Sequence, residues 1–159
     1  MNKKPVVIIG VGNYLMGDEG VGIHAIGSLG SLKWPEDVEL IDAGTPGLAL
    51  IHMIEGRELA IIIDCADFGG EPGETKCFDP DKLKRDENAE ISMHATDLLS
   101  ALAFAKSTGN YPKRVVILGI QPKGIEMGIR LSPEVASALP PLPDLIRDLI
   151  GTVPCDRDQ

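Results

Sequence analysis

Three side chains in this sequence, Glu19, Asp64 and His94, have types and positions that could do metal chemistry. Glu19 follows Gly10-Val11-Gly12-Asn13-Tyr14-Leu15-Met16-Gly17-Asp18, Asp64 closes the apolar run Leu59 to Ile63, and His94 sits in Ile91-Ser92-Met93-His94-Ala95-Thr96. One Glu, one Asp and one His meeting in a crevice make an O,O,N donor set with open coordination positions. Zinc, nickel, iron and cobalt all fit such a set, with water or substrate completing the shell, and spacing alone does not choose among them. Each residue also has a plain structural reading. Glu19 can be a first-turn acid and Asp64 a strand-end charge held by a partner or by solvent. His94 can be a solvated or capping residue at a helix start. Asp18 is expected to cap the helical segment Val21 to Leu29 and complement its dipole. His24 and His52 fall inside helical segments, where a surface or packing role is expected, so His94 is the histidine placed on a loop.

Other chemistries fare worse. Gly10-x-Gly12 after an apolar run suggests a dinucleotide turn, but Leu15 occupies the third glycine position and Asp18 and Glu19 would lie beside the phosphates. The glycines are better read as letting the backbone turn tightly after a buried strand. No Gly-x-Ser-x-Gly elbow is present, and Ser92 has no strand before it. Cys65 follows Asp64, whose charge disfavours a thiolate, so it reads as a small buried side chain. Cys77 and Cys155 carry no constellation.

The elements that would position these residues follow from hydrophobic patterning. Val6 to Ile9, Val38 to Ile41, Leu59 to Ile63 and Val115 to Ile120 are β-branched runs, each predicted to be a strand buried on both faces. Helical spacing lies between them: Val21, Ile23, Ala25, Ile26 and Leu29; then Leu48, Leu50, Ile51 and Ile54; then Leu98, Leu99, Leu102 and Ala103. This alternation predicts βαβ units on a largely parallel sheet. In such sheets ligands bind beyond the carboxyl ends of the strands, where Glu19, Asp42 and Asp64 all fall. Gly69 to Asn88 reads as a loop with one short strand, Thr75 to Phe78. Ser132-Pro133-Glu134 starts a helix, with Ser as cap and Pro at its first position. Pro140, Pro141 and Pro143 interrupt it, so Asp144 to Ile150 is predicted as a separate or kinked helix.

A length of 159 residues suits one domain, with its core over about 5–150 and a frayed tail over 151–159. No apolar run is long enough for a membrane span or a signal-peptide core. Three scattered cysteines fit reduced thiols, so a cytoplasmic location is expected. A net charge of −9, with no basic run beyond Lys84-Arg85, argues against nucleic acid and membrane as partners.

At Gly10-x-Gly12-Asn13-x-Leu15-x-x-Asp18-Glu19-Gly20 the sequence resembles the N-terminal motif of the endopeptidases that mature [NiFe] hydrogenases. Asp42-Ala43-Gly44-Thr45-x-Gly47, Ile62-Ile63-Asp64-Cys65, Ser92-x-His94 and Gly119-Ile120-Gln121-Pro122 resemble that family's later blocks in order. The likeness runs from Val6 to about Ile150. It implies that Glu19, Asp64 and His94 are metal ligands and the catalytic group, with their division between base and ligand left open. It assigns Asp42 no role, and a structural task for its carboxylate is as consistent. Cys65 stands where a small residue such as Ala is expected.

The implied fold is α/β, with three layers around a five-stranded, mostly parallel twisted sheet of phosphorylase/hydrolase-like type and Thr75 to Phe78 as its antiparallel strand. The implied reaction removes the C-terminal extension of a [NiFe] hydrogenase large-subunit precursor after nickel insertion. The nickel then arrives with the precursor, and the site of the free chain is expected to be empty. Two other readings stay open on the residues: a nickel-binding assembly factor that does not cut, and a zinc-dependent hydrolase of small molecules.

Overall fold

The computed structural model describes residues 3–85, 92–93 and 96–151. Its strands are β1 (Val6–Val11), β2 (Val38–Gly44), β3 (Leu59–Asp67), β4 (Thr75–Phe78), β5 (Ser92–Met93) and β6 (Arg114–Ile120). Its α-helices are α1 (Val21–Leu29), α2 (Leu50–Ile54), α3 (Pro80–Arg85), α4 (Thr96–Ser107), α5 (Pro133–Ala136) and α6 (Leu142–Gly151). Each predicted strand forms. The central sheet runs β2-β1-β3-β6-β4, parallel throughout except for β4, which is antiparallel to β6 as expected for Thr75 to Phe78.

Alternation along the strands divides the buried side chains between two faces. Val7, Ile9, Ala60, Ile62, Val115 and Ile117 pack with Leu50 and Ile54 of α2 and Leu98, Ala101 and Leu102 of α4. Val6, Ile8, Ile61, Ile63, Val116 and Leu118 pack with Val21, Ala25 and Leu29 of α1, Val135 of α5, and Leu142 and Ile146 of α6. The result is the three-layer α/β/α arrangement that the family resemblance implied.

Chain order turns back between β1 and β3, because β2 lies on one side of β1 and β3 on the other. That reversal opens a crevice at the carboxyl ends of these two strands. The residues that follow β1 and those that end β3 therefore face one another across it.

The structure departs from the sequence reading in three places. β3 continues past Ile63 to Asp67, so Asp64 lies within the strand instead of just beyond it. The stretch read as strand and loop also holds α3, which Pro80 starts and for which Asp79 accepts a hydrogen bond from the Asp81 amide at 2.9 Å. A short β5 pairs antiparallel with β3 at Ala66↔Met93 and Asp67↔Ser92, so Ser92 lies on a strand of its own. At the C-terminus Ser132 caps α5 by accepting from the Val135 amide, with Pro133 in the first turn, and α6 is a separate helix that begins two residues earlier than expected, with Pro143 in its first turn. Among the described residues no helix is long and apolar enough to cross a membrane. Cys155 and the expected tail over 152–159 lie outside the described residues.

Candidate functional site

Glu19 is held in a 3-10 turn, Gly17–Gly20, between β1 and α1. Close backbone packing brings this turn down onto the sheet edge. A Cβ on Gly12, which has φ 147°, would lie 2.0 Å from the Glu19 carbonyl oxygen, and one on Gly22 would lie 2.4 Å from that of Ile63. The glycines therefore serve close helix-to-strand approach as well as the turn itself. Glu19 is 9% exposed and Asp64 1% exposed.

Burial drives the Asp64 carboxyl up to about 8; the Cys65 amide, donating to Oδ1 at 2.8 Å, pulls the other way, and the nearby Glu19 charge adds to the rise. Its second oxygen, Oδ2, is buried and finds no hydrogen-bond partner among the described residues. By strand parity Asp64 shares the face of Ala60 and Ile62, toward the helix that begins at Thr96. His94 precedes that helix in sequence, but its placement lies outside the described residues. Glu19 and Asp64 are brought together, and the third expected ligand is not located.

The neighbouring residues have roles of other kinds. Asp18 does not cap α1: the cap position is Gly20, and no side chain bonds there. Its buried carboxylate instead turns toward the chain after β6. Oδ1 accepts from the Ser132 amide at 2.8 Å, and Oδ2 from the Lys123 amide at 3.0 Å, the Gly124 amide at 3.4 Å and the Ser132 hydroxyl at 2.9 Å. An acid in a first turn gives no sequence signal for partners more than a hundred residues away, so this role was missed.

Cys65 is buried, and burial, reinforced by Asp64 and Glu19, pushes its thiol up to about 12. It is no nucleophile in this state, as its acidic neighbour suggested. Asp42 is exposed and accepts from the Gly44 amide at 3.2 Å, a turn-forming bond that gives its carboxylate a structural task. His24 stacks on Tyr14, with ring centroids 5.1 Å apart, and its Nε2 bonds the Ile129 carbonyl oxygen at 3.0 Å. His52 is exposed beside Glu55. Both fit the surface and packing roles expected of them.

Two hollows border the crevice. An apolar one of about 360 Å³ is lined by Val11, Gly12, Thr45, Pro46, Leu50 and Leu98. The other, of about 550 Å³, is lined by Gly12, Asn13, Tyr14, Ile23, Asp42 and Thr45.

An acid pair thus lies at the switch point of a three-layer α/β/α protein, with one oxygen buried and without a hydrogen-bond partner among the described residues. Known proteins share this architecture. The hydrogenase maturating endopeptidase HybD from E. coli superposes with a TM-score of 0.77 at 28% identity, over 90% of this chain and 92% of that one. The hydrogenase expression/formation protein HupD of Bradyrhizobium diazoefficiens is 34% identical over 143 residues, 88% of this chain and 74% of its own. HoxM of Azotobacter vinelandii, a hydrogenase expression/formation protein, is 33% identical over 128 residues, 79% of this chain, which spans only 62% of HoxM's length. The sequence model of the hydrogenase maturation protease HycI matches residues 23–148. The chain belongs to the hydrogenase maturation protease family.

Proposed function

We propose that this chain is an endopeptidase that removes the C-terminal extension of a [NiFe] hydrogenase large-subunit precursor, with Glu19, Asp64 and His94 gripping the nickel that the precursor carries. The observation that carries the reading is Asp64 Oδ2, buried without a hydrogen-bond partner among the described residues and near Glu19. A buried oxygen left this way costs stability. A divalent cation held by the precursor would satisfy this oxygen in the working state.

The metal is part of the substrate, so an unloaded precursor offers the site no anchor. Bound nickel supplies Lewis-acid polarisation of the scissile carbonyl. The chain's own residues do the rest. Asp64 gives up its proton as the cation arrives, because a ligating carboxylate must be ionised. Glu19 adds the second carboxylate, fixed by its turn against Gly12. The hollows beside Gly12 and Thr45 give an extended peptide room on either side.

Incubating the purified protein with nickel-loaded and with empty precursor, and weighing both by mass spectrometry, tests this. Loss of the extension from the loaded precursor alone is expected. An unchanged mass would sink the peptidase reading and leave a non-cutting assembly factor. Stoichiometric zinc in the purified protein would instead support a free-standing hydrolase.

A further inference from the structure

The chain that leaves β6 forms a surface loop over residues 123–132 whose two ends meet on one buried side chain. Asp18 accepts from the Lys123 and Gly124 amides at one end, at 3.0 and 3.4 Å, and from the Ser132 amide and hydroxyl at the other, at 2.8 and 2.9 Å. The middle of the loop is held as well. Gly128 donates to the Leu15 carbonyl oxygen and accepts from the Gly17 amide, both at 2.8 Å, and His24 Nε2 bonds the Ile129 carbonyl oxygen at 3.0 Å. Each of these anchors belongs to the segment that carries Glu19 or to α1 behind it.

A loop closed at its base and tied at its middle has a fixed backbone. This one nevertheless holds apolar side chains in water: Met127 is 89% exposed and Ile129 53%, with Ile125 exposed too. Across the bridge between Gly128 and Met16, Leu15 is 62% exposed and Tyr14 is also open to solvent. The other large apolar side chains exposed among the described residues, Leu32, Leu48 and Phe104, lie elsewhere in the chain. Single exposed apolar residues are ordinary, but a cluster on two bonded segments marks an interaction surface. Between the segments lies an open hollow of about 740 Å³, lined by Gly17, Asp18, Lys123, Met127, Ile129 and Leu131. It gives a partner's side chain a place to enter beside the exposed anchors.

The occupant follows from what the loop is tied to. Gly17, which bonds Gly128, opens the turn that holds Glu19 at the crevice, so a folded protein that brings a metal to Glu19 also covers the loop bonded beside it. A net charge of −9 opposes an anionic membrane in that place. We propose that the 123–132 loop and Leu15 form a docking surface for the folded body of the large-subunit precursor, meeting an apolar face next to its metal. This rests on the reading of the crevice as the site that grips the precursor's nickel. Anchors fixed before the encounter lose little freedom on binding, and the Asp18 and Gly128 bonds fix them. Metal loading then decides when a precursor is held, and the loop contributes to which protein is held.

Binding of nickel-loaded precursor to the purified chain, measured by biolayer interferometry beside the rate of cutting, tests this. Met127→Glu is expected to raise Kd and KM about tenfold or more, with kcat and melting temperature unchanged, because the side chain stands in water and touches no reacting atom. Ile129→Glu is expected to act in the same direction, and Met127→Leu, which keeps the apolar contact, to bind as wild type does. Leu32→Glu makes the same change of charge at an exposed apolar site beyond the far end of α1, and it is expected to alter neither constant. Wild-type affinity in both Met127→Glu and Ile129→Glu would overturn the inference. So would a wild type that self-associates in sedimentation and is made monomeric by Met127→Glu with precursor binding unchanged, since the occupant would then be a second copy of this chain. A wild type that binds the precursor through Met127 without cutting it would support the docking surface and overturn the peptidase reading alone, so the two failures are told apart.

Discussion

Asp64 has a consequence that can be measured without any substrate. Its carboxyl is raised from an ordinary 3.8 to about 8 in the folded protein. Between these values the folded state holds a proton that the unfolded chain has lost, so the associated stability is complete below pH 4 and is lost as pH rises through 8. At 1.36 kcal/mol per pK unit, the loss is on the order of a few kcal/mol by pH 8. Asp64→Asn is expected to raise the melting temperature at pH 8 and flatten its pH dependence between 4 and 8, while abolishing cutting of the precursor. Thermal melts of both proteins over that range check it, and parallel curves would refute the assignment. Asp18→Ala acts oppositely. It removes the shared acceptor of three backbone donors and a hydroxyl at part-buried positions, and on the order of 1–3 kcal/mol should be lost in urea denaturation. Residue types and strand ends were enough to single out Glu19 and Asp64 from sequence, because charge beside a buried run is conspicuous. Asp18 was misread since its partners, Lys123, Gly124 and Ser132, come together only through the sheet.

At the scale of elements, α1 is the sensitive part. Gly10 and Gly22 let it lie on β1 at backbone distance: a Cβ on Gly10 would fall 2.2 Å from the Gly22 carbonyl oxygen, and one on Gly22 2.4 Å from those of Val11 and Ile63. Gly22→Ala must push the helix outward, and it is expected to cost about 3 kcal/mol or more while moving the Glu19 turn off the crevice. Gly27, in the same helix, has nothing within 4 Å of an added Cβ. Gly27→Ala is therefore expected to stabilise by about 0.5–1 kcal/mol through helix propensity. Opposite shifts in denaturation midpoint from two identical substitutions on one helix would establish the packing; equal shifts would not.

The strands and α1 were legible because period and composition agree along them. The extension of β3 was not, since Asp64 and Asp67 interrupt the apolar run that marked it. α3 was passed over although Asp79-Pro80-Asp81 carries a capping signal, because the Gly, Pro and charge around it favoured a loop reading.

For the whole molecule, the decisive feature is the order of the strands, β2-β1-β3-β6-β4. It unites two acids 45 positions apart, counted from Glu19 to Asp64, at one crevice. Sequence alternation announced the parallel sheet and the family resemblance its layers, but no local pattern states on which side of β1 the third strand will add. The net charge of −9 has its own effect at this scale. Mutual repulsion among surface acids opposes compaction, so raising ionic strength from low to physiological is expected to increase the melting temperature modestly at neutral pH. Calorimetry in dilute and in physiological salt checks this.

The run of β3 past Ile63 bears on how the crevice waits for its substrate. An acid on a loop can swing into water when it loses its proton. Asp64 cannot do so easily, because its backbone is laddered opposite Gly119. On the proposed reading the carboxyl has two companions small enough to reach it, a proton or the cation that the precursor brings. Acid and metal would then compete for one seat, with the proton as a place-keeper that leaves when the metal comes.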